Sequence, residues 1–242
     1  MGNGTTVLTL LVPAGVVAAF LVHWAAIAGV PTAAERLPLC RGAYLGASMQ
    51  LAVYAWVLFA LGSGRPAGTI LVPLGMVFSF AGDFCNLQFP VLSRRVRQPL
   101  FLGILCFTLA QACYIGAFLS LVPVEALVRD GALLPILAAL VVVPAILFFF
   151  GVYDRTRPKS VMLGAFFYGF ILGAMAALAV SAAIAEGGAW IIVAVGAGMF
   201  LLSDAIMGQT TIRGRHPRTE FQVPWLTYLV AQGLIIAGTA LA

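Results

Sequence analysis

Charge is scarce in this 242-residue chain. Only 9% of its residues are Asp, Glu, Lys or Arg, and 62% are apolar, whereas a soluble domain carries about 25% charged residues. No soluble core absorbs that much apolar surface, so the chain reads as an integral membrane protein. Cysteine is scarce too. Of Cys40, Cys85, Cys106 and Cys113, the last three fall in apolar segments and none forms a CxxC or a Cys/His cluster. That argues against a disulfide framework and a zinc site. G-x-S-x-G, H-E-x-x-H and P-loop motifs are missing, which leaves serine-hydrolase, zinc-protease and nucleotide-binding readings without support. The net charge of +5 is not a nucleic-acid footprint, because the basic residues sit in short loops between apolar segments. The apolar runs also lack the alternation of a membrane barrel. Residues 1–6 carry no positive charge and the first apolar run continues to Val30, so a retained helix is expected there rather than a cleaved signal peptide.

What is present is a series of long apolar segments. A spanning helix needs about 20 apolar residues. Eight segments qualify: 6–30, 42–61, 67–89, 99–121, 131–150, 161–184, 189–208 and 221–241. The expected fold is all-α and polytopic, a single membrane domain over residues 1–242. The odd-numbered loops hold Arg36 and Arg41, then Arg94, Arg95 and Arg97, then Arg155, Arg157 and Lys159, then Arg213, Arg215 and Arg218. The even-numbered loops hold Arg65 and Arg129, so the bias is 11 against 2. The positive-inside rule then places the odd loops in the cytoplasm and both termini outside.

Two acidic residues, Asp83 and Asp204, lie inside these segments, and a shift of 121 residues superposes them. Without a gap, the same shift lays Gln111 on Gln232, Gln88 on Gln209, Arg94 on Arg215 and Arg97 on Arg218. From Ile70 to Ile115 there are 11 identities in 46 aligned positions, where chance in so apolar a composition gives about 4. The chain therefore reads as two four-helix halves, 1–121 and 122–242. An even number of helices per half gives both halves the same orientation, a parallel repeat. An ionisable group within a span costs several kcal/mol and is a functional candidate by default. A packing carboxylate bonded to Tyr or Gln is the plainer account of one Asp, and it fits a repeated pair less well. Both sit roughly 6–12 Å below the cytoplasmic surface at 1.5 Å per residue, so they can face one cavity as catalytic residues.

Other polar residues gather at similar depth. Asn86 follows Asp83 by three residues on the same helix face. Thr108, Gln111 and Tyr114 form a stripe on the fourth span, and Tyr228 and Gln232 a pair on the eighth. Tyr44, Ser48, Gln50 and Tyr54 lie on the second, Tyr168 and Met175 on the sixth, and His23 near the end of the first. Such groups must face protein or water, so interhelical bonding competes with substrate contact for each of them. For His23 packing is the better account. The Arg clusters at 94–97 and 213–218 obey the positive-inside rule, and a guanidinium there also suits a lipid phosphate.

These residues resemble the lysoplasmalogenase (YhhN-like) family. The resemblance rests on Gly82-Asp83-Phe84, Gln111-x-x-Tyr114, Tyr168, Met175, Phe200-Leu201-Leu202-Ser203-Asp204 and Thr227-Tyr228-x-x-x-Gln232. It implies hydrolysis of the vinyl-ether bond of a lysoplasmalogen to a fatty aldehyde and a glycerophospho-choline or -ethanolamine. It also implies a plasma-membrane setting, expected to be bacterial. The expected partners are a lysophospholipid substrate and the surrounding membrane lipid, with no nucleic acid, no metal and no cofactor. The chemistry suits a carboxyl pair. Protonation of the alkene carbon gives an oxocarbenium ion, water captures it, and the hemiacetal collapses. One carboxyl must carry a proton while the other is ionised, the division of labour also found in glycoside cleavage. Tyr228, Asn86, Gln111, Tyr114, Gln232, Tyr168, Arg94 and Arg215 are the expected substrate-binding residues. Two rivals remain at this point: a proton-coupled transporter or lipid scramblase using the same Asp pair, and a scaffold with structural aspartates.

Overall fold

A computed structural model describes residues 3–30, 33–62, 66–128, 133–214 and 222–242. The chain is helical throughout, with no strand among the described residues. The long helices are α1 (Asn3–Ile27), α2 (Ala33–Leu61), α3 (Leu71–Asn86), α5 (Pro99–Leu121), α7 (Leu133–Leu147), α8 (Lys159–Glu186), α9 (Ala189–Met207) and α10 (Gln222–Leu241). Two short helices, α4 (Pro90–Arg95) and α6 (Val124–Val128), join neighbours. A 3₁₀ turn over Ala67–Ile70 leads into α3. α7 and α9 each widen at their C-terminal end into a π-helical turn, Phe148–Val152 and Gly208–Ile212.

Among the described residues, six helices are long and apolar enough to cross a membrane: Pro38–Leu61, Ala67–Asn86, Pro99–Leu121, Lys159–Glu186, Ala189–Ile212 and Gln222–Leu241. The chain is thus a multi-pass helical membrane protein. The count of eight is not reached by this measure, because the apolar helical stretches Leu11–Ile27 and Ile136–Val152 are shorter. Each has an internal proline, Pro13 or Pro144, which removes one helical hydrogen bond. Boundaries shift as well. α2 begins at Ala33 rather than near residue 42. α3 stops at Asn86, short of Phe89, because Gln88 takes the left-handed backbone (φ 50°) and turns the chain out of the helix.

With lipid as solvent, the bundle sorts its faces by fit more than by polarity. On α2, Met49, Val53, Trp56 and Val57 face outward, while Ser48, Leu51, Ala55 and Leu58 face the interior. Small residues let backbones approach, as membrane helix pairs require. A Cβ at Gly75 would sit 2.6 Å from the Tyr114 ring, and one at Gly82 would sit 2.6 Å from the Phe107 ring, so α3 packs closely on α5. A Cβ at Gly196 would sit 2.9 Å from the Ala231 carbonyl, and one at Gly238 would sit 2.5 Å from Val193, so α9 packs likewise on α10. α10 is the enclosed helix, with 72% of its spanning window buried against 33% for α9.

Arginines tie the loops together at one end of the bundle. Arg41 Nε donates to the Leu87 carbonyl just past α3 at 2.8 Å. Arg157 donates to the Ile212 and Thr211 carbonyls at the end of α9 at 2.7 and 3.2 Å, and Arg213 donates to the Phe150 carbonyl. Ser160 Oγ donates to Gln98 Oε1 at 2.6 Å, joining the starts of α8 and α5. Cations at helix C-termini satisfy leftover carbonyls and oppose the negative end of the helix dipole.

Candidate active site

A buried polar cluster is built on Asp83, four residues from the end of the α3 backbone ladder and only 3% exposed. Its Oδ2 accepts two hydrogen bonds, from Ser48 Oγ of α2 at 2.5 Å and from the Tyr228 hydroxyl of α10 at 2.7 Å. Among the described residues no hydrogen bond reaches Oδ1. Three helices therefore meet on this one carboxyl. Aromatic rings close around the tyrosine: Phe107, Phe200 and Trp225 each meet the Tyr228 ring edge-on, with centroids 6.1, 5.5 and 5.5 Å away.

Asp204 lies near the C-terminal end of α9 and is partly open. Its Oδ2 accepts a hydrogen bond from the Tyr168 hydroxyl of α8. Asp83 and Asp204 line a single cavity of about 120 Å³. Asn86, Tyr168, Ser203 and Tyr228 supply its other polar edges. The remainder of the wall is mostly apolar, including Leu100, Ile104, Pro144, Leu147, Leu172 and Trp225. Both π-helical turns contribute, through Phe148 and Val152 on one side and Gly208, Thr211 and Ile212 on the other. Gly208 permits their approach, since a Cβ there would sit 2.6 Å from Val152 Cγ2.

The eight expected substrate-binding residues fall into five groups. Tyr228, Tyr168 and Asn86 line the cavity with the two aspartates, and Asn86 Oδ1 is buried without a hydrogen-bond partner. Tyr114 and Gln232 stand behind the wall, bonded to each other at 2.7 Å. Gln111 is fully buried beside Tyr168, with no hydrogen bond on either amide atom among the described residues. It does not line the cavity. Arg94 is exposed on α4, away from the cavity wall, because the turn at Gln88 carries the chain off the α3 axis. Arg215 lies outside the described residues. The sequence marks Ser48 as a polar group that must face protein or water, but does not show its bond to Asp83. Ser48 shares the inward face with Tyr44, Leu51 and Ala55, and that 3-4 spacing was a legible signal that it points into the bundle. No group of His, Cys, Asp and Glu among the described residues has metal-site geometry.

Two aspartates on separate helices, each bonded to a tyrosine, share a mostly apolar cavity inside the bundle of a multi-pass helical membrane protein. The chain belongs to the YhhN family, whose profile matches residues 43–239; this is the lysoplasmalogenase family. The match spans α2 to α10 and so includes every residue of the cavity. No curated protein and no solved structure matches the chain.

Proposed function

We propose that the protein is a lysoplasmalogenase-type ether hydrolase. It adds water across the vinyl-ether bond of a lysoplasmalogen and releases a fatty aldehyde and a glycerophosphocholine or glycerophosphoethanolamine. The observation that carries this reading is the convergence of Asp83 and Asp204 on one mostly apolar cavity. One carboxyl delivers its proton to the alkene carbon remote from the ether oxygen. The other, ionised, faces the oxocarbenium ion and takes a proton from the attacking water. The hemiacetal then breaks its bond to the glycerol oxygen, which leaves protonated. Water is the only co-reactant: in the collapse the second carboxyl gives its proton to the glycerol oxygen and the first takes the hemiacetal hydroxyl proton, so both end as they began. Tyr168 and Tyr228 hold the carboxyls in place, Asn86 offers an amide at the polar end, and the apolar wall takes the alkyl chain. The basic loops carrying Arg94 and Arg215 are assigned the headgroup phosphate.

The same reading includes eight spans in two parallel halves, with both termini outside. The two halves are supported by the equivalent packing of α3 on α5 and α9 on α10, by α2 on α3 and α8 on α9, and by Gly75 and Gly196, 121 residues apart and each at a close approach; the sidedness rests on the 11 against 2 bias of basic residues.

The test is purified protein in detergent, given a lysoplasmalogen in the absence of any ion gradient. Release of long-chain aldehyde, with none from the alkyl-ether analogue that lacks the double bond, is the expected result. A protein that releases no aldehyde but moves lipid or protons when placed in vesicles is a transporter or scramblase, and the hydrolase reading then fails.

A further inference from the structure

A buried chain of hydrogen bonds runs from α5 through α10 to Asp83. The Tyr114 hydroxyl donates to Gln232 Oε1 at 2.7 Å. Gln232 Nε2 donates to Ser79 Oγ at 3.0 Å and to the Tyr228 hydroxyl oxygen at 3.4 Å. Tyr228 in turn donates to Asp83 Oδ2. Tyr114 and Gln232 are fully enclosed and neither lines the cavity, so direct contact with a substrate does not explain them.

The direction of this chain has a chemical effect. A tyrosine hydroxyl owns one proton, and an amide has a donating and an accepting end. With the Gln232 nitrogen toward its oxygen, Tyr228 spends its proton on Asp83. Ser48 adds a second donor to the same Oδ2, so that oxygen has no place for a proton of its own. If the amide turned over, Oε1 would face Tyr228 and draw its proton away. Oδ2 could then carry a proton and donate it to the Tyr228 oxygen. The Tyr114 hydroxyl holds the amide the right way round by occupying Oε1. Its other near acceptor is the weaker Met76 sulfur, at 3.1 Å.

We propose that Gln232 and Tyr114 are positioning residues that fix the direction of the Tyr228 hydrogen bond, so that Asp83 works only through Oδ1. The proposal rests on the reading of Asp83 as a reacting carboxyl. The titratable groups around it are Tyr228 from α10, Tyr114 from α5, Cys85 on α3 itself and Asp204 of α9 across the cavity. From α2 the contact is the uncharged Ser48, and the nearby Arg41 of that helix is bonded to the Leu87 carbonyl.

Gln232→Glu separates positioning from simple structural support. While protonated, the introduced carboxyl keeps the direction toward Tyr228, with its carbonyl accepting from Tyr114 and its single hydroxyl proton going to Tyr228, while Ser79 Oγ loses the donor it has in wild type. Once ionised it accepts from both tyrosines and reverses the Tyr228 bond. The turnover of this variant relative to wild type should therefore fall by about tenfold from the acid to the alkaline side, the scale of one buried hydrogen bond. Gln232→Met, which offers no N–H or oxygen, should lose about tenfold in kcat at every pH. A Gln232→Glu profile with the wild-type shape, or equal losses in both variants at all pH values, overturns the proposal. If wild type itself releases no aldehyde, the hydrolase reading falls and infrared difference spectra decide the rest. The Asp83 carboxyl bands, assigned by their loss in Asp83→Asn, should move in both Gln232→Met and Tyr114→Phe. Bands that stay put in either variant overturn the relay. Tyr114→Phe also serves if the Gln232 variants fail to fold.

Discussion

Asp83 and Asp204 occupy equivalent positions on α3 and α9, yet their surroundings differ. Asp83 is nearly sealed and receives two hydroxyl donors on one oxygen, Ser48 from α2 and Tyr228 from α10. Asp204 is more open and receives one donor, Tyr168 from α8. Each takes a donor from the long helix that precedes its own in the chain, Ser48 of α2 for Asp83 and Tyr168 of α8 for Asp204. The extra donor on Asp83 comes from α10. Phe107 stands where the 121-residue shift would place a counterpart of Tyr228, and a phenyl ring has no proton to give. The comparison teaches that matching depth and register do not fix matching chemistry. One carboxyl is clamped with a single oxygen free, while the other is held at one point.

The strongest way to break this comparison is to remove each carboxyl in turn. Asp83→Asn and Asp204→Asn should each lower aldehyde release more than about 10²-fold, the least expected for a lost general acid or base. The double variant should be little worse than either single one. A variant that kept more than about a tenth of wild-type turnover, a change of only ~1.4 kcal/mol in barrier, would show that its aspartate is structural. The tyrosines sharpen the contrast. Tyr168→Phe strips Asp204 of the one donor seen on it and should cost about 10- to 100-fold in kcat, the scale of a hydrogen bond to a charged group. Tyr228→Phe leaves Ser48 on Asp83 and should cost less, and equal losses would erase the distinction drawn here.

Packing gives the next test. Gly196→Ala brings a methyl against the backbone oxygen of Ala231, which cannot step aside, whereas Gly75→Ala meets the edge of the Tyr114 ring, which can tilt. Thermal unfolding in detergent should show the larger loss for Gly196→Ala, about 1–3 kcal/mol as for other overpacked sites. The smallest effect belongs to a loop. Asp154 lies where the first half has Ala33. The backbone N–H and hydroxyl of Thr156, with Arg157 nearby, hold its carboxyl below its ordinary value of 3.8. A depressed carboxyl contributes stability that is fully present above the unfolded value and lost as pH falls through the folded one. Asp154→Ala should thus unfold slightly earlier than wild type at neutral pH, and the two melting curves should converge below about pH 3.8.

Much of this site could be read before any coordinates. Asp83, Asp204, Tyr228 and Tyr168 stand out because a polar group in an apolar span must have a partner, and their depths could be counted along the helices. The partners themselves were harder. Gln111 and Gln232 are superposed by the repeat, but one is bonded to Tyr114 and the other is not, since that depends on which side chain arrives from a distant helix. The π-helical turns left no mark in composition, because Phe148–Val152 and Gly208–Ile212 differ from ordinary helix in backbone hydrogen bonding and not in residue type. That Arg94 stands off the cavity wall was not legible either, because one left-handed residue, Gln88, redirects the chain before it.

The enclosure of α10 also orders events in time. Every other described helix precedes it in the chain and is synthesised first. Yet α10 carries Tyr228 and Gln232, and its neighbours are open on that side until it arrives. A growing chain can therefore hold both aspartates in the bilayer while Asp83 still lacks its tyrosine, and the cavity reaches its finished form only when α10 slots between α1, α2 and α9. Synthesis thus leaves the Tyr228 bond to Asp83 unformed until α10 has packed on α1, α2 and α9.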